Sequence, residues 1–521
     1  NFVYNKGMNF KRNLFVITSA LVGALALSGC EFDGPSKFKH FDFINAVEDK
    51  GIDIDSGSYV KYGKYEAYQV NDTHGDKKTL GSAYEVFRDY SGANHIPSEG
   101  RQKILVIPVE FSDYKVEKLG MSNEQFIENI NKAFFGSAKN NAYVSVGEYF
   151  NKSSYGKLKL DGKVCDKIYT FPLSVSEIKE KKIKRDVLAN EYYKKIIDWY
   201  KENYEDIENY EIEGLKEGKN VPIYLVYTHP SEEQSENDPE NFFWAYTFND
   251  VPLSWSSASF MYLQYSEPDA HTYIHEMGHL FGLTDYYPTT LLKDDNPDDN
   301  IDVVTPEPLA RIDMMDCSIG DESSFSKMFL NWVRPTYVYN TCQVTLKSFT
   351  DSGDVLLLAN SWNKTVFDEY YLFEYYNPTN LNTYDVSVGN NQAKLPRVPG
   401  IKIYHVDARL GYFSSQKKFK SYCDDGGEAP TSTNIGFAHD NNTYNNPTKN
   451  EKNYLYSLVL NHGKEINTGC ATDANLYRLG DEIPELTFNR DGSKLNYKIS
   501  IFATSFSEIV LNCEKVENIA K

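Results

Sequence analysis

Apolar side chains fall along this chain at two periods, and the change from one to the other divides it. The run QKILVIPVEFSD (102–113) is an almost unbroken set of aliphatic residues, the pattern of a strand buried on both faces. In SNEQFIENINKAFFG (122–136) apolar residues recur at 126, 127, 130, 133 and 134, which is helical spacing. Ser122 and Gln125 form a capping box at its start and Gly136 closes it. YGKLKLDGKV (155–164) reads as a strand or hairpin, 176–204 as a charged helical stretch, and VPIYLVY (221–227) as a second buried strand. Strands alternating with helices predict an α/β layer arrangement up to about residue 265.

After Pro335 the texture changes. CQVTLKSF, DVLLLAN, EYYLFEYY, GIKIYHV, YLYSLVL and LNYKISIFA are short β-rich runs separated by Asn, Gly and Asp clusters, the pattern of an all-β, sandwich-like unit. The expected organisation is an α/β unit over 101–340 and a β unit over 341–521. Residues 31–100 are polar and weakly periodic, and read as a spacer or pro-segment.

The start of the chain adds a location. From Met8 it reads MNFKRNLFVITSALVGALALSGC, with Lys11 and Arg12 ahead of an apolar run over 14–27 that is shorter than a membrane span. The ending LSGC (27–30) resembles the lipobox of bacterial lipoproteins, in which the signal is cut before the cysteine and that residue, here Cys30, is lipidated. The chain is then expected to be exported and held at the bacterial surface by lipid, with residues 1–30 as upstream extension and signal peptide. No later stretch reads as a transmembrane helix. The net charge of −20 argues against nucleic acid as a partner. Setting Cys30 aside leaves six cysteines, none at CxxC spacing, so a cysteine zinc site is not expected and disulfide pairing stays open.

The candidate chemistry lies in DAHTYIHEMGHLFGLTDYY (269–287), with three histidines four apart. On a helix His275 and His279 sit one turn above each other and can share a zinc ion, while Glu276 faces its open side as a general base. The pair His271 and His275 has Thr272 where a base would stand. A fourth protein ligand would fill the position that water needs, so His271 is expected to support the site by packing or hydrogen bonding. Gly282 can end the helix in a left-handed conformation and turn the chain back, so that Asp285 supplies the third ligand. The alternative, a glutamate from a second helix, is disfavoured by PTTLLKDDNPDDNIDVVTPEP (288–308), too rich in Pro and Asp to be helical. IDMMDCSIG (312–320) could form a tight methionine turn beneath the metal.

Together with IPVEFSD, SSYGKL and SKMFLNW, these motifs resemble the immune-inhibitor-A-like bacterial metalloproteases, relatives of the metzincins, over roughly 100–340. The resemblance implies a metzincin-like α/β catalytic fold with an active-site helix. It implies one catalytic zinc held by His275, His279 and Asp285, with Glu276 as base and Met315 in the methionine turn. Asn331 departs from it, standing where relatives usually have glycine before the tryptophan, and the acidic loop 293–302 has no clear counterpart. PGIKIYHVDARL is similar to the β domain that follows the catalytic unit in some relatives.

The expected activity is therefore zinc-dependent hydrolysis of peptide bonds in extracellular proteins or peptides. The alternative is a non-catalytic surface adhesin on a metalloprotease scaffold, which would have no need of the intact Glu276. Tyr286, Tyr287, Tyr337 and Tyr339 are the candidates to assist the oxyanion, and SSASFMYLQY (256–265) is the candidate edge strand for an extended substrate. Asp294, Asp295, Asp298, Asp299 and Asp302 could bind Ca2+, although their spacing matches no calcium loop and a solvated acidic loop is the simpler reading. Cys317 is expected to be a buried thiol.

Overall fold

The 102–113 run becomes the backbone of the first sheet. In the computed structural model residues 59–61 and 96–516 are described, apart from several stretches such as 232–242, 294–301, 422–434, 442–453 and 462–470. Strand β2 (Gly100–Phe111) pairs in parallel with β3 (Leu158–Val164) and β4 (Tyr169–Phe171) on one side and with β5 (Ile223–Tyr227) on the other. Beyond β5 lies β7 (Trp255–Ser259), also parallel, and then β6 (Tyr246–Phe248), antiparallel to β7 at the edge. The architecture is mixed α/β. One expectation is corrected here: of 256–265 only the part up to Ser259 is strand, it lies inside the sheet between β5 and β6, and among the described residues the edge belongs to the shorter β6. Its five residues are all buried, which a strand paired on both sides permits.

Helices cover both faces, which is why the strands carry continuous apolar runs. The first helix, α1 (Asn123–Phe135), forms its capping box as read, with Ser122 Oγ accepting from Gln125 N and Gln125 Oε1 accepting from Ser122 N. It packs Phe126, Ile130, Ala133 and Phe134 with Ile104, Val106, Tyr224 and Val226 of the sheet and with α2 (Val146–Ser153). Leu105, Ile107, Ile223 and Leu225 point the other way, into a core closed by α3 (Arg185–Asn203). The charged 176–204 stretch is two helices rather than one, because Lys182 takes φ +47° and ends the first of them.

Beside a small sheet of 410–413, 419–421 and 435–437, the second half contributes to two larger arrays. One has the order β1 (Tyr59–Lys61), β8 (Pro335–Val338), β10 (Val355–Leu358), β11 (Glu369–Tyr376), β12 (Gly400–Asp407) and β13 (Tyr456–Leu458). The other is an antiparallel set of β9 (Cys342–Lys347), β15 (Glu508–Lys515) and β14 (Tyr497–Thr504). Leu356, Leu358, Phe373 and Ile403 of the first share a core with Val344, Leu346, Ile501 and Leu511 of the second. Leu357, Leu372, Tyr404 and Val406 instead join the apolar cluster that holds Met277, Met315 and Phe325. Residues on either side of 341 thus contribute to one continuous core.

The segment around Ile96 carried no strong pattern yet is built into the fold. Ile96 is fully buried and its N–H donates to the Leu280 carbonyl at 2.9 Å, while Ser98 accepts from Trp332 Nε1 at 2.7 Å. Asn331 sits at φ +66°, the left-handed region in which asparagine substitutes most readily for glycine.

Candidate metal centre

The site is carried by α4 (His271–Leu280) and by the turn that follows it. Tyr273, Ile274, Met277 and Leu280 face the core, which places His275 and His279 together on the opposite, accessible side. Ala270, at the N-cap, has no side chain to offer, and Asp269 Oδ1 takes the His271 N–H at 3.0 Å in its place. At the other end Gly282 adopts φ +98° and Leu283 N donates to the Gly278 carbonyl at 3.1 Å. The chain reverses there, and Asp285 comes back under the two histidines. Ligand atoms of His275, His279 and Asp285 all lie within 4.8 Å of one another.

Each imidazole has its far nitrogen spoken for. His275 Nδ1 lies 3.1 Å from the Met314 carbonyl and His279 Nδ1 lies 2.8 Å from the Leu283 carbonyl. A carbonyl only accepts, so both Nδ1 atoms carry the proton, and in neutral rings both Nε2 atoms present lone pairs. Those Nε2 atoms stand 3.0 and 3.3 Å from the same oxygen, Asp285 Oδ1. Three acceptors therefore converge on one point, an arrangement that demands protons or a cation between them. The ligand side chains keep 14, 19 and 21 % of their surface exposed, so the point is open to solvent on one side. Two nitrogens, one carboxylate oxygen and an open face are the donor set that suits catalytic Zn2+.

The charges are strongly coupled. Burial disfavours a charged ring at both histidines, but the Asp285 carboxylate outweighs it, raising His275 and bringing His279 up to about 9. Burial would push Asp285 up as well; the two rings overcome that and hold it well below the usual carboxylate range. Glu276 is raised, chiefly by burial, with His279 and His275 pulling the other way.

Glu276 is anchored from the sheet. Thr247 on the edge strand β6 donates from Oγ1 to Glu276 Oε2 at 2.9 Å, and the same hydroxyl lies 2.7 Å from Ser256 Oγ. Nothing in the sequence around Thr247 marks it, since it precedes Glu276 by 29 residues in a three-residue strand.

The floor of the site is a single 3-10 turn, Met314–Asp316. Met315 is fully buried, its carbonyl accepts from Tyr286 N at 3.0 Å, and its N–H donates to Asp313 Oδ1 at 2.8 Å. Met315 lies so near the helix that a Cβ added to Gly278 would stand 2.6 Å from its sulfur. Asp313 also accepts from Ser323 N at 2.9 Å, from Ser326 Oγ at 3.0 Å and from Ser323 Oγ. The buried carboxyl of Glu322 stands against it, raised well above the ordinary glutamate value by burial and then by the Asp313 charge.

His271 lies outside the cluster, its Nδ1 3.5 Å from Asp269 Oδ1. Of the four tyrosines considered, Tyr287 is the one against a ligand, its ring 6.1 Å from that of His275. Tyr286 points into the core beside Phe325 and Tyr456, Tyr337 packs on Trp362, and the Tyr339 carbonyl accepts from Lys515. Cys30, Cys317 and four of the five loop aspartates lie outside the described residues, as does the side chain of Asp302. No family model matches the chain, and no curated protein sequence matches it.

Proposed function

We propose that this protein is a zinc-dependent endopeptidase, with a metzincin-like catalytic unit and a sandwich-like β unit behind it. What supports the reading is the convergence of His275 Nε2, His279 Nε2 and Asp285 Oδ1 on one solvent-facing point, with a buried glutamate next in sequence. A Zn2+ ion held there would supply Lewis acidity toward a peptide carbonyl and a water of lowered pKa.

Glu276 takes the proton of the attacking water on its carboxylate and delivers it to the departing amine nitrogen. Thr247 holds that carboxylate in one orientation while it does so. Tyr287 serves as the donor to the carbonyl oxygen as negative charge gathers on it. An extended substrate adds to the outer side of β6, which pairs with no other strand among the described residues, beside the helix that carries Glu276. With the lipobox cysteine Cys30 as anchor, the enzyme would act on proteins or peptides at the bacterial surface.

The test is casein hydrolysis by the purified protein, with and without a chelator, beside Glu276→Ala. Chelator-sensitive activity that the variant lacks is expected. Equal inertness of both proteins, each still holding one zinc, would overturn the enzymatic reading in favour of a binding protein.

A further inference from the structure

The three-stranded sheet sets two cysteines against each other. Cys342 opens β9 and Cys513 lies in β15, and the antiparallel register pairs them directly. Directly opposed residues in such a pair point to the same face, with Cα atoms about 4.5–5.5 Å apart. A disulfide spans about 4.4–6.8 Å. Cys513 is buried in the core that holds Leu346, Tyr497 and Leu511, and Cys342 packs on the rim of the same core, partly buried. Both are free thiols in the structure, as is Cys165, which belongs to a different core.

We propose that Cys342 and Cys513 form a redox site that closes to a cross-strand disulfide in an oxidising compartment. The oxidant is a small-molecule disulfide such as oxidised glutathione. The sulfur of Cys342, the more exposed of the two, attacks it as thiolate, breaking its S–S bond and releasing one glutathione. Cys513, deprotonated, then attacks the Cys342 sulfur, and the second glutathione leaves. Two protein thiols are oxidised, one glutathione disulfide is reduced to two thiols, and the two protons lost by the cysteines end on those thiols.

Burial pushes the Cys342 thiol up to about 11 and raises that of Cys513 further, with Cys342 adding to it. Few thiolates are present at neutral pH, so closure is slow, and the same burial shelters the finished bond from reductant. The bond ties the first strand of this sheet to the last and closes a loop over nearly the whole β half, which restricts the unfolded chain. It is independent of the protease reading, and it gives an exported protein a use for two thiols that the metal centre does not touch.

The full chain is equilibrated with oxidised glutathione or with dithiothreitol, then unfolded, alkylated and digested without reduction for peptide mass mapping. A linked species containing the Cys342 and Cys513 peptides, two hydrogens lighter than the pair and absent after dithiothreitol, is the expected result. Its thermal midpoint should lie several degrees above that of the reduced protein, and Cys342→Ser, altered at the exposed end of the bond, should lose the difference. A map in which either cysteine is alkylated, carries glutathione, or is joined to another cysteine overturns the proposal.

Discussion

The hydroxyl of Thr247 and the carboxylate of Glu276 are joined by a 2.9 Å hydrogen bond between β6 and the helix that carries His275 and His279. A hydrogen bond to a charged group contributes about 1.5–3 kcal/mol. Thr247→Val, which keeps the shape and removes the donor, should lower kcat roughly 10- to 100-fold with KM little changed. Thr247→Ser should restore most of the loss. Metal content, measured alongside, should equal that of the wild type; if it falls too, Thr247 acts on the fold and not on the base.

At Gly278 an added methyl group would run into the methionine turn. Its Cβ would meet Met315 Sδ at 2.6 Å, and Met315 is fully buried. Gly278→Ala should destabilise the protein by about 1–3 kcal/mol through overpacking. Combining it with Met315→Ala should cost less than the sum of the two, because the second change removes the atom that the first strikes. Urea denaturation of the four proteins completes the cycle.

Asp285 offers the only negative charge among the three converging ligands. Asp285→Asn keeps the size and removes the charge, so zinc retained after dialysis should drop well below one ion per chain while His275 and His279 stay on their helix. Metal analysis together with circular dichroism separates loss of the ion from loss of the fold. Full retention of zinc would remove Asp285 from the ligand set.

Glu322 supplies a pH dependence that lies away from the ligands. Its folded pKa is raised above the ordinary 4.5 by burial and by Asp313, and its oxygens find no donor among the described residues. A raised carboxyl binds its proton more tightly in the folded chain. The stability this contributes is full below pH 4.5 and is lost as pH rises toward the folded value, at about 1.4 kcal/mol per unit. Glu322→Gln, which cannot ionise, should therefore lose less stability than wild type between pH 5 and 7 in chemical denaturation. Parallel pH profiles for the two proteins would show that Glu322 is charged in the fold.

Much of this was legible in the sequence where local chemistry decides the outcome. The capping box at Ser122 and Gln125, the buried run at 102–113 and the turn at Gly282 each depend on residues within a few positions of one another. Even Asn331, where glycine would be expected, is accounted for by a backbone angle of φ +66°. The unread parts depend on distance along the chain. Thr247 and the opposition of Cys342 to Cys513 acquire meaning only through sheet order and register, and no short window of residues encodes these. The misplaced edge strand has the same origin: β6 is three residues long and precedes in sequence the strand it flanks, so periodicity could not rank them.

The residue after Asp285 shows how the molecule is put together. Tyr286 lies with its ring 5.7 Å from that of Tyr456, and its carbonyl accepts from Asn441 at 3.2 Å. Both partners come from the far half of the chain, so the seat of Asp285 is a joint product of two regions that a reader of the sequence would separate. Cutting the chain at residue 341 would strip the wall from behind Asp285, so the two regions have to be expressed as one piece.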